Sequence, residues 1–267
     1  MPEKLKVLVT GATGRIGRAL MEGLDAEFAL TGTSRSPRND PRFIQLDYAD
    51  VAAVQAAFAG QDAVVHLHAK AANDSESLTE YLQPNIVDVH TTYEAAWLAG
   101  VRRVIFASSN HATGWTEVSG ERADAKTAVR PDGLYGAAKA WGEALGSYYA
   151  DRYGLEVVCL RIGSHNYRHR PPDFGMGPRI LSTWLSDDDL LQLIQKSVTA
   201  PGIGYGVYYG ISNNSRGYWD LTNAAIELGY QPRDNAEDYT DEVLAQGGVY
   251  RVWGTETWHT KGRSPDG

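Results

Sequence analysis

A tyrosine and a lysine four residues apart, Tyr135 and Lys139, have the spacing in this 267-residue sequence that most directly suggests chemistry. Residues at i and i+4 lie on one face of a helix, so the phenol and the ammonium would be neighbours. A phenol acts as a base near neutral pH only if its pKa falls from about 10, and a nearby ammonium favours the phenolate. The pair could therefore remove a proton from a hydroxyl group.

A serine earlier in the chain could share the oxygen that loses this proton. Ser109 follows the apolar run 104–107, which predicts a strand, and ligands of α/β proteins gather at the carboxyl ends of strands. A Tyr-x-x-x-Lys pattern alone is weak evidence, because both residue types are common on exposed helix faces. Combined with the glycine-rich motif described next, the pattern predicts Ser109, Tyr135 and Lys139 as the catalytic side chains.

The glycine-rich motif lies at residues 11–17, between an apolar run and a stretch with helical periodicity. Glycines at such a turn let the pyrophosphate of a dinucleotide approach the N-terminus of the following helix. An isolated match would be an ordinary turn, but the strand-loop-helix context favours cofactor binding. Hydride transfer with a nicotinamide is therefore expected, and its positive charge would also favour the phenolate. The predicted contacts in this loop are Gly11, Thr13, Gly14, Arg15, Ile16 and Gly17.

The end of the second strand indicates which nicotinamide cofactor binds. An acidic side chain there would accept hydrogen bonds from the adenosine ribose, but the sequence has Ser34 and Arg35, with Arg38 close behind. A guanidinium can pair with a 2′-phosphate, so NADP is favoured over NAD. The alternative is that both arginines are solvated loop charges and either cofactor is used. Further predicted cofactor contacts are Asp47, which could reach the adenine or cap a helix, and Tyr48, His66, Leu67, Lys139 and Ile162.

Alternating apolar runs and amphipathic stretches predict a Rossmann-type α/β fold, a doubly wound parallel sheet with a small C-terminal substrate-binding lobe. We expect a dinucleotide-binding core over residues 1–163, with the substrate-binding loop and lobe over 164–267 packed on it as one structural unit. Strands are expected at residues 5–9, 29–33, 43–46, 63–66, 103–107, 155–161 and 207–209. Helices are expected at residues 15–24, 51–59, 85–99, 136–153, 181–200 and 218–228.

Composition excludes several classes of protein. A formal charge of −8 argues against a general affinity for nucleic acid or for an anionic membrane surface. The lone cysteine, Cys159, lies in an apolar run and provides neither a disulfide framework nor a cysteine-based metal site. We expect no metal, since His66 and His68 lack further ligands. With no signal peptide and no apolar run of transmembrane length, a cytoplasmic enzyme is expected.

The sequence resembles the extended short-chain dehydrogenase/reductase superfamily, the NAD-dependent epimerase/dehydratase branch, and most of all the uronate dehydrogenases. The resemblance is carried by the blocks at residues 106–111, 130–136, 161–164, 181–186 and 246–248. It implies oxidation of C1 of galacturonate or glucuronate to an aldarolactone, and a homo-oligomer is plausible on the same basis.

By this resemblance, Ser109 and Tyr135 would contact the reacting oxygen of the substrate, and Asn110 and Ser164 would hold sugar hydroxyls. Arg179 would hold the C6 carboxylate. The planar guanidinium suits a carboxylate, although a structural salt bridge would explain Arg179 equally simply. His111 would either shape the substrate pocket or be a strand-end histidine with its hydrogen bonds satisfied. The predicted substrate contacts are Ser109, Asn110, His111, Tyr135, Ser164 and Arg179.

The sequence departs from the uronate dehydrogenase pattern at three places. Ser34 replaces the usual acid, Ala71 falls where a substrate-binding serine is expected, and the loop 165–178 is long and basic, with Arg168 and Arg170. That loop resembles the archaeal glucose-6-phosphate dehydrogenases, which makes this activity the main alternative. The loop could equally be a solvated lid whose arginines pair with acids.

Two further functions are ranked lower. A nucleotide-sugar epimerase or dehydratase is disfavoured, because a dehydratase needs an acid pair where this chain has Asn110 and His111. A noncatalytic dinucleotide-binding regulator on the same fold is disfavoured by the intact Ser109, Tyr135 and Lys139.

Overall fold

Seven strands form one parallel sheet in the computed structural model, which describes residues 3–71 and 77–247. The strands are β1 (Lys6–Thr10), β2 (Ala29–Ser34), β3 (Phe43–Gln45), β4 (Ala63–His66), β5 (Arg103–Ser109), β6 (Glu156–Ile162) and β7 (Tyr205–Gly210). Their order across the sheet is β3-β2-β1-β4-β5-β6-β7. The order reverses between β1 and β4, and ligands of doubly wound sheets bind at the carboxyl ends of the strands beside such a reversal. The predicted doubly wound parallel sheet is confirmed.

Helices cover both faces of this sheet. They are α1 (Arg15–Gly23), α2 (Val51–Phe58), α3 (Leu78–Tyr81), α4 (Asp88–Leu98), α5 (Gly114–Val118), α6 (Leu134–Tyr153), α7 (Ile180–Thr183), α8 (Asp187–Thr199) and α9 (Thr240–Ala245). Short 3-10 helices span Asn110–Thr113, Pro171–Phe174, Gly177–Arg179 and Ala236–Tyr239, and π-helices span Leu82–Val87 and Ala224–Leu228. No helix among these described residues has the length and apolar character needed to cross a membrane.

Alternate residues of the central strands face two separate cores. Val7 and Val9 of β1 pack in one core with buried residues of α1 and α8, whereas Leu8 packs in the other with residues of α2, α4 and α6. Strands buried on both faces explain the nearly continuous apolar runs of the sequence. The sheet therefore fixes where each strand ends and where the side chains that follow it stand.

The prediction of one continuous helix over residues 181–200 is wrong, because the chain forms two helices there. The chain is extended at Trp184, and a new helix, α8, begins after Ser186, whose hydroxyl accepts a hydrogen bond from the backbone N–H of Asp189. A serine followed by three aspartates strongly favours the start of a helix. This local signal outweighs the apolar periodicity that predicted one continuous helix through the same residues. The break also lets the backbone N–H of Ser164 reach the carbonyl of Thr183 at 2.7 Å.

The helix expected over residues 218–228 is shorter than predicted. Trp219 forms a strand-like bridge with Ala123, and helical structure begins only at residue 222. The indole of Trp219 stacks on Tyr209 of β7, 5.4 Å between ring centroids. This part of the lobe is therefore attached to the edge of the main sheet. The boundary between residues 163 and 164 stays a prediction, and β7, which follows it, completes the sheet.

Candidate active site

The glycine-rich loop joins β1 to α1 with the close packing that a dinucleotide site requires. Gly11 has φ of +64°, and the backbone N–H of Gly14 donates to its carbonyl oxygen at 2.9 Å. A Cβ on Gly17 would lie 2.5 Å from Cα of Ala12, so only glycine lets the helix approach the strand this closely. Helix α1 begins at Arg15, and Gly14, its N-cap residue, provides no side-chain cap; the first turn has no acid. Its N-terminal N–H groups are therefore left without a side-chain acceptor, as a phosphate site requires.

A cavity of about 340 Å³ opens beside this loop at the carboxyl ends of β1, β2 and β4. It is lined by seven of the predicted cofactor residues, namely Gly11, Thr13, Gly14, Ser34, Arg35, Tyr48 and Leu67. Sequence reasoning missed six further lining residues, namely Thr33, Leu46, His68, Ala69, Lys70 and Pro84. The ring of Tyr48 stacks on that of His68, 4.6 Å between centroids. The cavity thus combines a phosphate-binding loop with an aromatic wall, which fits a dinucleotide.

The end of β2 presents basic and hydroxyl groups to this cavity. Ser34 is buried, and its hydroxyl accepts hydrogen bonds from Nε of Arg38 and the backbone N–H of Ser36, both at 3.3 Å. Arg35 is exposed and lines the cavity, and its carbonyl accepts a hydrogen bond from Gln45. No carboxylate is among the cavity-lining residues of the described chain. Among these described residues, the cavity lining at the end of β2 therefore lacks the carboxylate that would accept hydrogen bonds from a ribose diol.

The other predicted cofactor residues stand outside the cavity lining. Asp47 is exposed, and its carboxylate accepts the backbone N–H of Ala49 at 3.0 Å, while Asp50 caps α2. His66 is buried with Nδ1 near the hydroxyls of Thr10 and Thr92, and burial lowers its pKa well below the usual value. The neutral imidazole of His66 in β4 is therefore hydrogen-bonded to both β1 and α4.

Four predicted cofactor residues are placed around the loop and the neighbouring strands. Arg15 and Ile16 lie with Gly17 in the first turn of α1, and Ile162 ends β6 in register with Ser109 of β5. All four stand near the carboxyl edge of the sheet, where a dinucleotide that crosses from β2 towards β6 would pass.

Ser109 and Tyr135 meet at this carboxyl edge. Ser109 is the last residue of β5, and Tyr135 lies in the first turn of α6, which packs against the 3-10 helix after β5. Burial raises the pKa of the Tyr135 phenol to about 12, and a hydrogen bond with the Ser109 side chain acts in the opposite direction. The sequence predicts that Lys139 and an oxidised nicotinamide together lower this pKa; in the protein residues alone, burial acts in the opposite direction. They keep the phenol protonated near neutral pH.

Lys139 lies one turn after Tyr135 and is buried beneath it. Its Nζ donates to the carbonyl of Ala107 at 2.7 Å and lies 5.4 Å from the centroid of the Tyr135 ring. Burial lowers the pKa of Lys139 to about 8, against the favourable charge of Glu143 one further turn along α6. The predicted same-face pair is thus present, with the ammonium held to β5 at a fixed distance from the phenol.

Glu143 belongs to a buried ion pair that supports this arrangement. Its carboxylate accepts two hydrogen bonds from Arg161 of β6, each 2.9 Å, and one from the hydroxyl of Ser108. Two parallel hydrogen bonds between a guanidinium and a carboxylate fix geometry as well as charge. Helix α6 is thereby tied to β5 and β6 next to Lys139.

A histidine and an aspartate adjoin the Tyr135 ring. Nδ1 of His111 lies 2.8 Å from Oδ2 of Asp132, and the imidazole meets the Tyr135 ring edge to face, 5.7 Å between centroids. A Cβ on Gly136 would come 2.1 Å from the carbonyl oxygen of His111. The glycine after Tyr135 therefore lets α6 approach the loop that carries His111, which places this side chain at the predicted substrate pocket.

Asn110 and Ser164 follow the adjacent strands β5 and β6. Asn110 is buried at the start of the 3-10 helix after β5. The hydroxyl of Ser164 lies 2.9 Å from that of Thr183, whose hydroxyl also donates to the carbonyl of Arg179. The two residues thus stand at the same edge of the sheet as Ser109 and Tyr135, while Ala71 is exposed.

Arg179 forms the structural salt bridge that the sequence left open as an alternative, with a carboxylate partner that the sequence did not identify. Its Nε donates to Oε1 of Glu117 at 2.6 Å and its Nη2 to Oε2 at 2.7 Å, and both side chains are buried. The guanidinium fork expected to face a substrate carboxylate is therefore engaged by the protein itself. Glu117 was missed because it is 62 residues away in sequence and lies in no recognisable motif.

The basic loop at residues 165–178 is also paired with acids. Arg168 contacts Glu22 of α1 at 3.1 Å, and Arg170 contacts Asp173 at 3.8 Å and Glu242 of α9 at 3.4 Å. The pairing of the arginines with acids, one of the two interpretations left open by the sequence, is present, and the buried Pro171 and Pro172 show that the loop is only partly solvated. These exposed pairs are easily broken, but their charge is already compensated.

The sequence of this chain is similar to those of known enzymes. The sequence model of the NAD dependent epimerase/dehydratase family matches residues 7–185. A uronate dehydrogenase of Pseudomonas putida is 41% identical over 247 residues, which cover 90% of this chain and 88% of that protein. An NAD-dependent glucose-6-phosphate dehydrogenase of Haloferax volcanii is 34% identical over 256 residues, which cover 88% of this chain and 96% of that protein.

A solved structure agrees with these sequence relatives. A uronate dehydrogenase from Agrobacterium tumefaciens, a mutant complexed with NAD, matches with a TM-score of 0.82 and 36% identity. The match covers 92% of this chain and 91% of the other. The segment matched by the family model contains the glycine-rich loop and every residue assigned above to proton transfer or substrate contact.

Proposed function

Because this chain belongs to the NAD dependent epimerase/dehydratase family, we propose that it is a dehydrogenase that oxidises the C1 hydroxyl of galacturonate or glucuronate to an aldarolactone. The observation that carries the proposal is the hydrogen bond between Ser109 and Tyr135 above buried Lys139, next to the dinucleotide-binding loop. The uronate dehydrogenase relatives support the substrate class.

The proton chemistry is assigned to three side chains. Ser109 hydrogen-bonds the C1 oxygen, and Tyr135 removes its proton as C1 loses a hydride. An oxidised nicotinamide supplies the hydride acceptor and a positive charge beside the phenol. Because burial alone raises the pKa of Tyr135 to about 12, this charge and that of Lys139 are what would favour the phenolate during turnover.

Lys139 also has a positioning role in the proposed mechanism. Its hydrogen bond to the carbonyl of Ala107 and its distance from the phenol ring fix where its charge stands. Asn110 and Ser164 are proposed to hold the sugar hydroxyls, since they follow β5 and β6 at the same edge, and His111 is proposed to shape the pocket beside them. We expect the enzyme to be cytoplasmic, as the sequence indicates; assembly into a homo-oligomer is suggested by the family resemblance alone.

The cofactor is proposed to be NADP in preference to NAD. Support comes from the end of β2, where Ser34 and Arg35 line the cavity in place of an acid. Arg35→Asp should reverse the ratio of kcat/KM for NADP over NAD, because a carboxylate repels a 2′-phosphate and accepts from a ribose diol. Steady-state kinetics of Arg152→Asp, a matched change at the exposed far end of α6, should leave the ratio unaltered. An unchanged ratio in Arg35→Asp would refute this interpretation.

Glucose-6-phosphate oxidation is the alternative, favoured by the basic loop and by the Haloferax volcanii relative. The pairing of Arg168 and Arg170 with acids weighs against it. Assays of reduced nicotinamide formation with galacturonate, glucuronate and glucose 6-phosphate, each with NAD and NADP, test the choice. Turnover of either uronate at the highest kcat/KM is expected, whereas turnover of the phosphate ester alone would overturn the proposal.

A further inference from the structure

His68 and Tyr48 form a stacked pair of rings in the wall of the cavity beside the glycine-rich loop. The ring centroids are 4.6 Å apart, and the two ring planes differ by 7°. Tyr48 lies just after β3 and is buried, whereas 20% of the His68 side chain is exposed. His68 is therefore the ring of the pair that is more open to the cavity.

Backbone contacts fix His68 next to the glycine-rich loop. Its N–H donates to the hydroxyl of Thr10, the last residue of β1, at 3.1 Å. A Cβ added to Gly11 would lie 3.0 Å from the same backbone nitrogen. The main chain of His68 therefore touches the loop proposed to bind the diphosphate, and the nucleoside next to a diphosphate bound there would lie in the cavity that His68 lines.

Asp88, the first residue of α4, holds the imidazole of His68. Nε2 of His68 lies 2.8 Å from Oδ2 of Asp88, and Oδ1 of the same carboxylate accepts a hydrogen bond from Gln83 at 2.7 Å. A carboxylate only accepts hydrogen bonds, so Nε2 is the donor in this contact. The side chain of Asp88 is 5% exposed, and a hydrogen bond in so buried a position restricts the rotation of the imidazole ring. The ring plane of His68 is thereby kept parallel to that of Tyr48.

A flat aromatic group fits this arrangement. Nucleobases stack on histidine and tyrosine rings, and a ring that is already held in place loses little conformational entropy when a base binds to it. The adenine of a dinucleotide is such a group, attached to the diphosphate through one ribose. On the open face of His68, it would extend the stack that Tyr48 begins.

We propose that Asp88 is a positioning residue for the cofactor, which holds the imidazole of His68 as a platform on which the adenine base stacks. This inference rests on the proposed dinucleotide site and does not depend on which sugar is oxidised. His68 contacts the base, and Asp88 acts only through His68. A hydrogen-bond acceptor at residue 88 is therefore required, whereas its negative charge is not.

Calorimetric titration of the full-length protein with ADP, which contains the adenine and the diphosphate but no nicotinamide, tests the platform. The Kd of ADP should rise about 5–100-fold in His68→Ala, since the loss of one base–aromatic stack has effects of this size. The Kd of inorganic pyrophosphate, which has no base, should stay within about twofold of wild type. His90→Ala, at an exposed position of α4, is the control and should leave both constants unaltered. An unaltered Kd of ADP in His68→Ala, or an equal rise for ADP and pyrophosphate, overturns the inference.

Two changes at residue 88 test the positioning role. Asp88→Ala removes the acceptor and should raise the Kd of ADP about threefold or more, whereas Asp88→Asn keeps an acceptor oxygen and should stay within about twofold of wild type. Wild-type affinity in Asp88→Ala, or equal weakening in both variants, contradicts this role. If Asp88→Ala does not fold, Asp88→Leu fills the space without an acceptor, and the same two results decide. Wild-type protein that binds neither ADP nor pyrophosphate would instead refute the proposed dinucleotide site.

Discussion

At the scale of single residues, the site depends on burial as much as on spacing. Tyr135 and Lys139 share a helix face, but burial favours the neutral form of each. It raises the pKa of Tyr135 to about 12 and lowers that of Lys139 to about 8. Glu143, one turn on, is the nearby charge that favours the ammonium. An ammonium held in a buried position for catalysis costs folding stability, because desolvation penalises its charged form.

Lys139→Met should therefore make the folded protein more stable while impairing turnover. A lysine whose pKa in the folded state is about 8, below its ordinary value of 10.5, reduces the free energy of unfolding in full below pH 8. This penalty shrinks as the pH rises above 8 and is gone above 10.5. After allowance for the lost hydrogen bond to Ala107, we expect the free energy of unfolding to rise by about 1–2 kcal/mol near pH 7.

Urea unfolding of wild type and Lys139→Met at about pH 7 and about pH 10 measures this effect. The difference in unfolding free energy between the two proteins should shrink at the higher pH, because the folded-state lysine is then neutral and only the smaller cost of removing the proton from the unfolded-state lysine remains. A variant that is less stable than wild type near pH 7, or a difference independent of pH, would contradict the assigned burial penalty.

The residues of the site were predictable where chemistry follows from local sequence. Ser109, Tyr135 and Lys139 could be found because a strand end and an i, i+4 spacing are visible in the chain. Glu117 could not, because its role comes from a contact with Arg179 across 62 residues. His68 and Lys70 were likewise missed as cavity-lining residues, since the path of the chain after β4 is set by packing.

At the scale of elements, the junction of β1 and α1 is the most constrained part of the fold. Gly11 has a positive φ, and a Cβ added to it would meet the backbone N of His68 at 3.0 Å. Gly17 is tighter still, with Ala12 and the carbonyl of Gly11 within 2.6 Å of an added Cβ. These contacts are with backbone atoms, which cannot rotate away as a side chain could.

Gly17→Ala should therefore destabilise the protein, although alanine is the better helix former. Displacing α1 from the strand is expected to cost about 1–3 kcal/mol and to weaken cofactor binding. Chemical denaturation and cofactor titration measure the two effects. Gly204→Ala is the matched control, because an added Cβ there meets nothing within 4 Å, and it should stay within about 0.5 kcal/mol of wild type. Equal stability of the two variants would contradict the assigned role of Gly17.

Element boundaries were predictable where local signals agree. The limits of β4 at residues 63–66 match the predicted run, because apolar side chains and polar neighbours coincide there. The break before α8 was missed because apolar residues keep their helical spacing through Trp184. The extended backbone there is instead determined by the N-cap at Ser186 and by the hydrogen bond from the backbone N–H of Ser164. Tertiary hydrogen bonds of this kind are not visible in a single sequence.

At the scale of the whole molecule, the parallel sheet gathers residues from distant parts of the chain at one edge. The buried pair of Arg161 and Glu143 links β6 to α6, and Arg161 also lies over the ring of Tyr209 on β7, 5.5 Å from its centroid. The glycine-rich loop after β1, the pair of Ser109 and Tyr135, and the loops after β5 and β6 are thus joined to one core.

The rate of nicotinamide reduction by Tyr135→Phe with galacturonate tests the central assignment most directly. If Tyr135 is the base, kcat should fall about 10²–10⁴-fold, because the ring remains and only the proton acceptor is lost. Cofactor affinity, measured by titration of the same variant, should stay within about twofold of wild type, so that the loss is assigned to the chemical step. Full activity of Tyr135→Phe would contradict the account.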